Sequence, residues 1–193
     1  MSTRTFNIPN ILTYARILAV PLIVVCFFLE GKLHSSDFAR WTALGLFAFA
    51  SVTDFLDGYL ARIWQQTSNI GRMLDPIADK LLVASVLLLV AADGTIAGWS
   101  LWAAITILCR EILVSGLREY LAELKVSVPV TRIAKWKTTA QMVAIGFLLA
   151  GPAGDKILPH TTEIGITLLW IAAALTIYTG YDYFRAGAKH MMD

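Results

Sequence analysis

The chain has 193 residues, of which 57% are hydrophobic and only 16% are charged, and its formal net charge is +2. This composition is too apolar for a soluble domain of this size, and the charge is too small to favour nucleic acid as a partner. The sequence therefore predicts an integral membrane protein whose surroundings are lipid.

Six apolar segments, separated by short polar breaks, follow one another along the chain. A helix crosses a bilayer with about 20 mostly apolar residues, and each segment is long enough to do so. The segments lie near residues 11–30, 39–62, 73–92, 98–121, 133–151 and 162–186. They predict an all-α membrane protein, a bundle of six transmembrane helices in a single domain over residues 1–193. Residues 1–10 are expected to form a short interfacial segment.

The Lys and Arg residues are unevenly divided when successive breaks are assigned alternately to the two sides of the membrane. Three of the 16 fall on one side, Lys32, Arg40 and Lys156, and the other 13 fall on the opposite side. Cytoplasmic segments of membrane proteins carry an excess of Lys and Arg. The distribution therefore predicts that both termini face the cytoplasm.

Four aspartates lie in or beside the second and third apolar segments. Asp54 and Asp57 are three residues apart, and Asp75 and Asp79 are four apart, so each pair shares one face of a helix. Pro76 is expected in the first turn of the third helix, where proline is tolerated. A carboxylate at membrane depth costs at least a few kcal/mol unless it faces a partner, a cavity or an ion.

These carboxylates predict a site for two divalent cations, Mg²⁺ or Mn²⁺. Ligands that are all oxygen suit these hard ions, and no His or Cys accompanies the aspartates at ligand spacing. Two such ions could clamp phosphate oxygens and stabilise a displacement at phosphorus. The alternative is that the aspartates are helix caps and ion-pair partners of Arg62, Arg72 and Lys80.

Residues 54–79 read Asp-x2-Asp-Gly-x2-Ala-Arg-x8-Gly-x3-Asp-x3-Asp, which resembles the signature of the CDP-alcohol phosphotransferase family. The resemblance implies that Asp54, Asp57, Asp75 and Asp79 bind two metal ions. It also implies that Asp79 is the catalytic base that deprotonates the acceptor alcohol. Six transmembrane helices are what that family shows.

The same resemblance implies a binding site for the cytidine diphosphate part of a CDP-activated lipid. Its residues would be Gly58, Arg62 and Ser68, joined by Asn10 from the segment Pro-Asn-Ile-Leu-Thr. The lipid tails would stay in the bilayer.

Two further segments, residues 110–119 and 134–139, are similar to bacterial members of the family whose substrates are CDP-diacylglycerol and sn-glycerol 3-phosphate. The resemblance implies phosphatidyl transfer that yields phosphatidylglycerol phosphate and CMP, in a bacterial cytoplasmic membrane, by a homodimer. The acceptor phosphate needs cationic donors, and Arg110, Arg118 and Lys135 could converge on one anion. Lys137 and Arg132 are equally open to this role and to setting topology.

Two alternatives stay open on the sequence. The first is the same chemistry with another acceptor, namely inositol phosphate, serine or phosphatidylglycerol. The second is a divalent-cation transporter, which would need broken helices near the midplane and carboxylates in both halves of the chain. The carboxylates of the second half lie mostly near helix ends, which argues against a transporter.

Overall fold

The computed structural model describes residues 8–30, 36–64, 69–124, 126 and 132–188. Within these ranges the chain forms six α-helices. They are α1 (Ile8–Glu30), α2 (Ser36–Trp64), α3 (Asn69–Ala92), α4 (Ser100–Glu123), α5 (Arg132–Asp155) and α6 (Thr161–Ala188). Each apolar segment of the sequence corresponds to one helix, so the predicted all-α fold is confirmed. Most of the predicted interfacial segment, residues 1–7, lies outside the described residues.

The helices are those of a multi-pass membrane protein. Among the described residues, three stretches are long and apolar enough to cross a membrane by length and composition, namely Asn10–Phe28, Ser100–Glu123 and Thr161–Arg185. The helices α2, α3 and α5 have 29, 24 and 24 residues. At about 1.5 Å per residue each exceeds the roughly 30 Å of a bilayer's hydrocarbon core. Their lower hydropathy reflects charged residues, several of which face a cavity described below.

The bundle consists of two halves of three helices each, α1–α3 and α4–α6, and the halves also pack against each other. In the first half α1 packs against α2 and α3, and in the second half α6 packs against α4 and α5. The helices α2 and α3 meet α5 across the middle, through buried residues such as Ala43, Val86 and Leu148. Small residues such as Ala43 let helix backbones approach closely. Between the halves a cavity remains.

The prediction for Pro76 was wrong. The helix α3 begins at Asn69, so Pro76 lies inside the helix rather than in its first turn. Proline has no amide hydrogen to donate to the preceding turn. The Nζ atom of Lys80 donates a hydrogen bond to the Pro76 carbonyl oxygen at 3.1 Å. The sequence misplaced the helix start because α3 extends back through residues 69–72, which precede its apolar run.

Near the start of α2, the side chain of Arg40 contacts α5 and the loop that follows α3. Its buried guanidinium pairs with Asp93, donates to Thr95 Oγ1 at 3.2 Å and lies 3.4 Å from the Leu149 carbonyl oxygen. Beside it α5 is kinked at Gly151, which has φ 43°. A Cβ atom on Gly151 would lie 2.5 Å from Arg40 Nη1. The kink therefore depends on glycine, both for its backbone conformation and for the close approach of Arg40.

Candidate active site

A cavity of about 450 Å³ lies between the two halves of the bundle, and charged groups of opposite sign line its two sides. The side formed by α1, α2 and α3 is called the acidic wall, and its charged residues are three carboxylates and two cations: Asp54, Asp75, Asp79, Arg16 and Lys80. The side formed by α4, α5 and α6 carries three cations and is called the basic wall: Arg110, Glu111, Arg118, Lys137 and Tyr183. A molecule in the cavity would contact both walls.

The helix α1 holds the carboxylates of the acidic wall. Arg16 Nη1 lies 2.9 Å from Asp54 Oδ1 and 2.8 Å from Asp79 Oδ1. The hydroxyl of Thr13 donates a hydrogen bond to Asp75 Oδ1. The Arg16 side chain is fully buried, whereas those of Asp54 and Asp79 are 41% and 50% exposed, so the carboxylates keep an open side toward the cavity. Sequence reasoning gave Arg16 only a topological role, although a cation within a span usually has a partner.

The chemistry of this donor set fits divalent cations. The carboxylates of Asp54 and Asp79 converge, because an oxygen of each contacts the same nitrogen of Arg16. Arg16 and Lys80 supply two positive charges against three carboxylates, which leaves the acidic wall negative by one charge, and hard cations prefer carboxylate oxygens. Among the side chains that the structure describes, no three potential ligands are close enough to hold an ion by themselves. The fourth predicted ligand, Asp57, has its side chain outside the described part.

The predicted contacts to the CDP-activated lipid are only partly covered by the structure. Asn10 is buried in the first turn of α1, one turn before Thr13. Gly58 and Arg62 lie in α2, but the side chain of Arg62 is outside the described residues, and so is the whole of Ser68. The roles of these four residues stay predictions.

The basic wall gathers two of the three predicted acceptor-binding cations. Arg110 donates from Nη2 to Thr179 Oγ1 at 3.1 Å, and its buried Nε has no hydrogen-bond partner among the described residues. Arg118 Nη2 lies 3.3 Å from the hydroxyl oxygen of Tyr183. A buried donor without a partner is unfavourable unless a ligand pairs with it, so Arg110 is suited to bind an anion.

The third cation of the basic wall is Lys137 rather than the predicted Lys135. Lys137 is 5% exposed, lines the cavity and pairs with the carboxylate of Glu111. Lys135 is exposed and does not line the cavity. The two lysines are two positions apart on α5, so they project from nearly opposite faces, about 160° apart around the helix. The structure therefore does not bring Lys135 together with Arg110 and Arg118.

Tyr183 of α6 is a site residue that sequence reasoning missed. Its buried ring has the guanidinium carbons of Arg110 and Arg118 at 5.9 and 5.5 Å from its centroid, within the range of cation–π attraction. One turn earlier, a Cβ on Gly180 would lie 3.2 Å from Arg110 Cγ, so glycine there makes room for the arginine stem. A tyrosine in an apolar span has no chemical pattern around it that would have indicated this role.

The comparison with protein families agrees with the signature read from the sequence. The chain belongs to the CDP-alcohol phosphatidyltransferase family, whose model matches residues 6–178. The matched range includes the four aspartates and the cations of α4 and α5, whereas Tyr183 lies beyond it. Members of this family generally use a divalent metal ion.

Curated relatives match the chain over nearly its whole length. A protein of Rickettsia bellii is 47% identical over 95% of this chain and 97% of its own length. A protein of Shigella flexneri is 41% identical over 97% of this chain and 98% of its own length, and one of Cereibacter sphaeroides is 40% identical with the same coverage. All three are named CDP-diacylglycerol–glycerol-3-phosphate 3-phosphatidyltransferase. The similarity therefore extends well beyond the signature.

Proposed function

We propose that this chain transfers the phosphatidyl group from CDP-diacylglycerol to sn-glycerol 3-phosphate, releasing CMP and forming phosphatidylglycerol phosphate. The observation that carries the proposal is that the acidic wall and the basic wall line one cavity. The reaction brings a pyrophosphate and an acceptor phosphate together. The acidic wall can bind the pyrophosphate through metal ions, and the basic wall can bind the acceptor phosphate. The shared name of the curated relatives supports the same substrates.

The acidic wall is assigned to the pyrophosphate of CDP-diacylglycerol. Asp54, Asp57, Asp75 and Asp79 would hold two divalent cations, Mg²⁺ or Mn²⁺. When bound, such ions neutralise phosphate oxygens and polarise the acceptor alcohol. Thr13 fixes the orientation of Asp75, and Arg16 fixes those of Asp54 and Asp79, so these α1 residues preorganise the carboxylates.

The basic wall is assigned to the phosphate of sn-glycerol 3-phosphate. Arg110, Arg118 and Lys137 supply three positive charges, and Glu111 offsets one of them. Guanidinium groups donate to phosphate oxygens in a planar fork, which fixes the orientation of the anion. The unpaired Nε of Arg110 is a donor that such a phosphate would satisfy.

The transfer needs one proton acceptor and no covalent enzyme intermediate. The 1-hydroxyl oxygen of the acceptor forms a new bond to the phosphorus that carries diacylglycerol. The bond between that phosphorus and the oxygen of CMP breaks, and CMP leaves with the electron pair. Asp79 takes the hydroxyl proton, because its half-exposed carboxylate faces the cavity while Arg16 holds one of its oxygens.

The remaining assignments follow from the sequence and complete the proposal. Asn10, Gly58, Arg62 and Ser68 contact the cytidine diphosphate part of the lipid substrate. All six helices of this single-domain chain cross a bacterial cytoplasmic membrane, and the cavity opens to the cytoplasm, where sn-glycerol 3-phosphate is dissolved. The protein acts as a homodimer, which a mass measurement by light scattering in detergent would check.

The test is CMP release by the protein purified in detergent, with CDP-diacylglycerol and magnesium present. Separate reactions receive sn-glycerol 3-phosphate, inositol phosphate, serine, phosphatidylglycerol or glycerol. Release is expected with sn-glycerol 3-phosphate and lost in Asp79→Asn. The control is Asp37→Asn, the same chemical change at an exposed ion pair with Lys156 at the other end of α2. Preference for another acceptor would move the function to that acceptor, and folded protein that releases no CMP would refute phosphatidyl transfer.

A further inference from the structure

Besides Arg110 Nε, a second buried polar atom in the cavity has no hydrogen-bond partner within the described part of the chain. Gln141 of α5 is 3% exposed and lines the cavity, and its Oε1 makes no hydrogen bond among the residues that the structure describes. An unpaired acceptor in a buried position is unfavourable, and native structures rarely keep one unless a ligand or water pairs with it. Gln141 therefore indicates a polar ligand group at this position.

The position of Gln141 within the cavity restricts which polar group of a bound substrate can pair with its side-chain amide. Gln141 follows Lys137 by four residues, so it lies on the same face of α5 about 6 Å further along the helix. The cavity lining also includes apolar side chains such as Leu82 and Met142. The hydroxyls of Ser51 and Thr138 line the cavity too, but they donate to the carbonyl oxygens of Phe47 and Ala134 in their own helices.

The acceptor substrate has a hydroxyl in the matching place. In sn-glycerol 3-phosphate the 2-hydroxyl lies between the phosphate, which the basic wall binds, and the 1-hydroxyl, which reacts beside Asp79. Gln141 is one helix turn from Lys137 and lines the same cavity as Asp79, so this middle hydroxyl is the acceptor group that best matches its position. A hydroxyl both donates and accepts, so it can pair with either end of a carboxamide.

We propose that Gln141 is a specificity-determining residue that binds the 2-hydroxyl of the acceptor, which donates a hydrogen bond to Gln141 Oε1. The inference rests on the proposed function, because it concerns the same cavity and the same reaction. A site built to pair with a hydroxyl discriminates against an analogue that lacks it, because the buried amide is then left unpaired. The enzyme should therefore prefer acceptors with a hydroxyl at this carbon.

The experiment compares two acceptors in two proteins. The acceptors are sn-glycerol 3-phosphate and 3-hydroxypropyl phosphate, which lacks only the 2-hydroxyl, and the proteins are the wild type and Gln141→Leu, which keeps the side-chain size without the amide. The wild type is expected to prefer sn-glycerol 3-phosphate by roughly 10- to 100-fold in kcat/KM. In Gln141→Leu the preference should fall to within about threefold, because kcat/KM for sn-glycerol 3-phosphate drops while that for the analogue does not.

Two further variants separate recognition from folding. Gln141→Glu keeps an oxygen that accepts a hydrogen bond, so it should retain more of the preference than Gln141→Leu. Met142→Leu, a volume-conserving change at the next position, should affect both acceptors equally. These variants keep the inference testable if Gln141→Leu does not fold.

The kcat/KM values for the two acceptors distinguish a role of Gln141 in recognition from a structural role. An equal loss for both acceptors in Gln141→Leu would show a structural role and overturn the inference. Unchanged kcat/KM values for both acceptors in that variant would show that Gln141 does not contact the hydroxyl. If the wild type releases no CMP with either acceptor, the proposed function itself fails, and this result is distinguishable from both of the others.

Discussion

Two lysines on α5 give the sharpest test of the basic wall. Lys137→Met and Lys135→Met remove the same charge from positions only two residues apart, one facing the cavity and one exposed. A hydrogen bond between charged partners contributes about 1.5–3 kcal/mol, and about 1.4 kcal/mol corresponds to a factor of ten. We therefore expect Lys137→Met to lower kcat/KM for sn-glycerol 3-phosphate roughly 10- to 150-fold, mainly by raising KM. Lys135→Met should stay within about threefold of the wild type, as surface substitutions usually do.

The assay is the initial rate of CMP release at saturating CDP-diacylglycerol and varied sn-glycerol 3-phosphate, with thermal unfolding in detergent as the check on folding. Lys137→Met leaves the carboxylate of Glu111 with Arg110, at 3.4 Å, as its ion-pair partner among the described side chains. Adding Glu111→Gln should therefore recover part of the lost stability without recovering the rate. A larger loss of activity in Lys135→Met than in Lys137→Met would refute the orientation of α5 on which the basic wall depends.

Three other predictions concern Tyr183, Gly151 and Asp155. Tyr183→Leu removes two cation–π contacts of about 0.5–1 kcal/mol each and should raise KM for sn-glycerol 3-phosphate roughly 5- to 30-fold. Tyr183→Phe keeps the ring, so its KM should stay within about fivefold of the wild type. Equal increases in KM in the two variants would exclude a role for the ring. Gly151→Ala should destabilise the fold by at least about 1–2 kcal/mol in thermal unfolding, because φ 43° and the nearby Arg40 both disfavour a Cβ; an unchanged midpoint would contradict this. Hydrogen bonds from the hydroxyl and amide of Thr162 lower the pKa of Asp155, so its stabilisation is full above the unfolded value of about 3.9 and is lost as the pH falls through the folded value. Asp155→Ala should therefore lower the unfolding midpoint at pH 7 and differ progressively less from the wild type below about pH 4. A difference that does not depend on pH would contradict a stabilising role of the ionised Asp155 carboxylate.

Much of the architecture could be predicted from the sequence because its signals are strong. The length of the apolar segments fixes the number of helices, and carboxylates such as Asp54 and Asp79 are conspicuous in apolar surroundings. The start of α3 was misplaced because residues 69–72, which include Asn69 and Arg72, precede the apolar run although they belong to the helix. Helix ends in a membrane protein need not coincide with the ends of apolar runs.

The parts that could not be predicted depend on how helices are rotated and packed. Lys135 and Lys137 are alike in type and neighbourhood along the chain, and only the rotation of α5 decides which one faces the cavity. Tyr183 meets Arg110 through packing between α6 and α4, across more than 70 residues of chain. Such long-range contacts have no local pattern. The pairing of Arg16 could have been predicted from the sequence, because an arginine inside a membrane span usually has a partner.

The position of Arg16 in α1 has a consequence for how the protein is made. Domains and helices are synthesised from the N-terminus onward, so α1 is made before α2 and α3 bring Asp54 and Asp79. Uncompensated carboxylates are costly to insert into a bilayer, and Arg16 offsets part of their charge through the contacts seen in the folded bundle. During biogenesis the first helix therefore carries a counter-charge into the membrane ahead of the acidic residues it will hold.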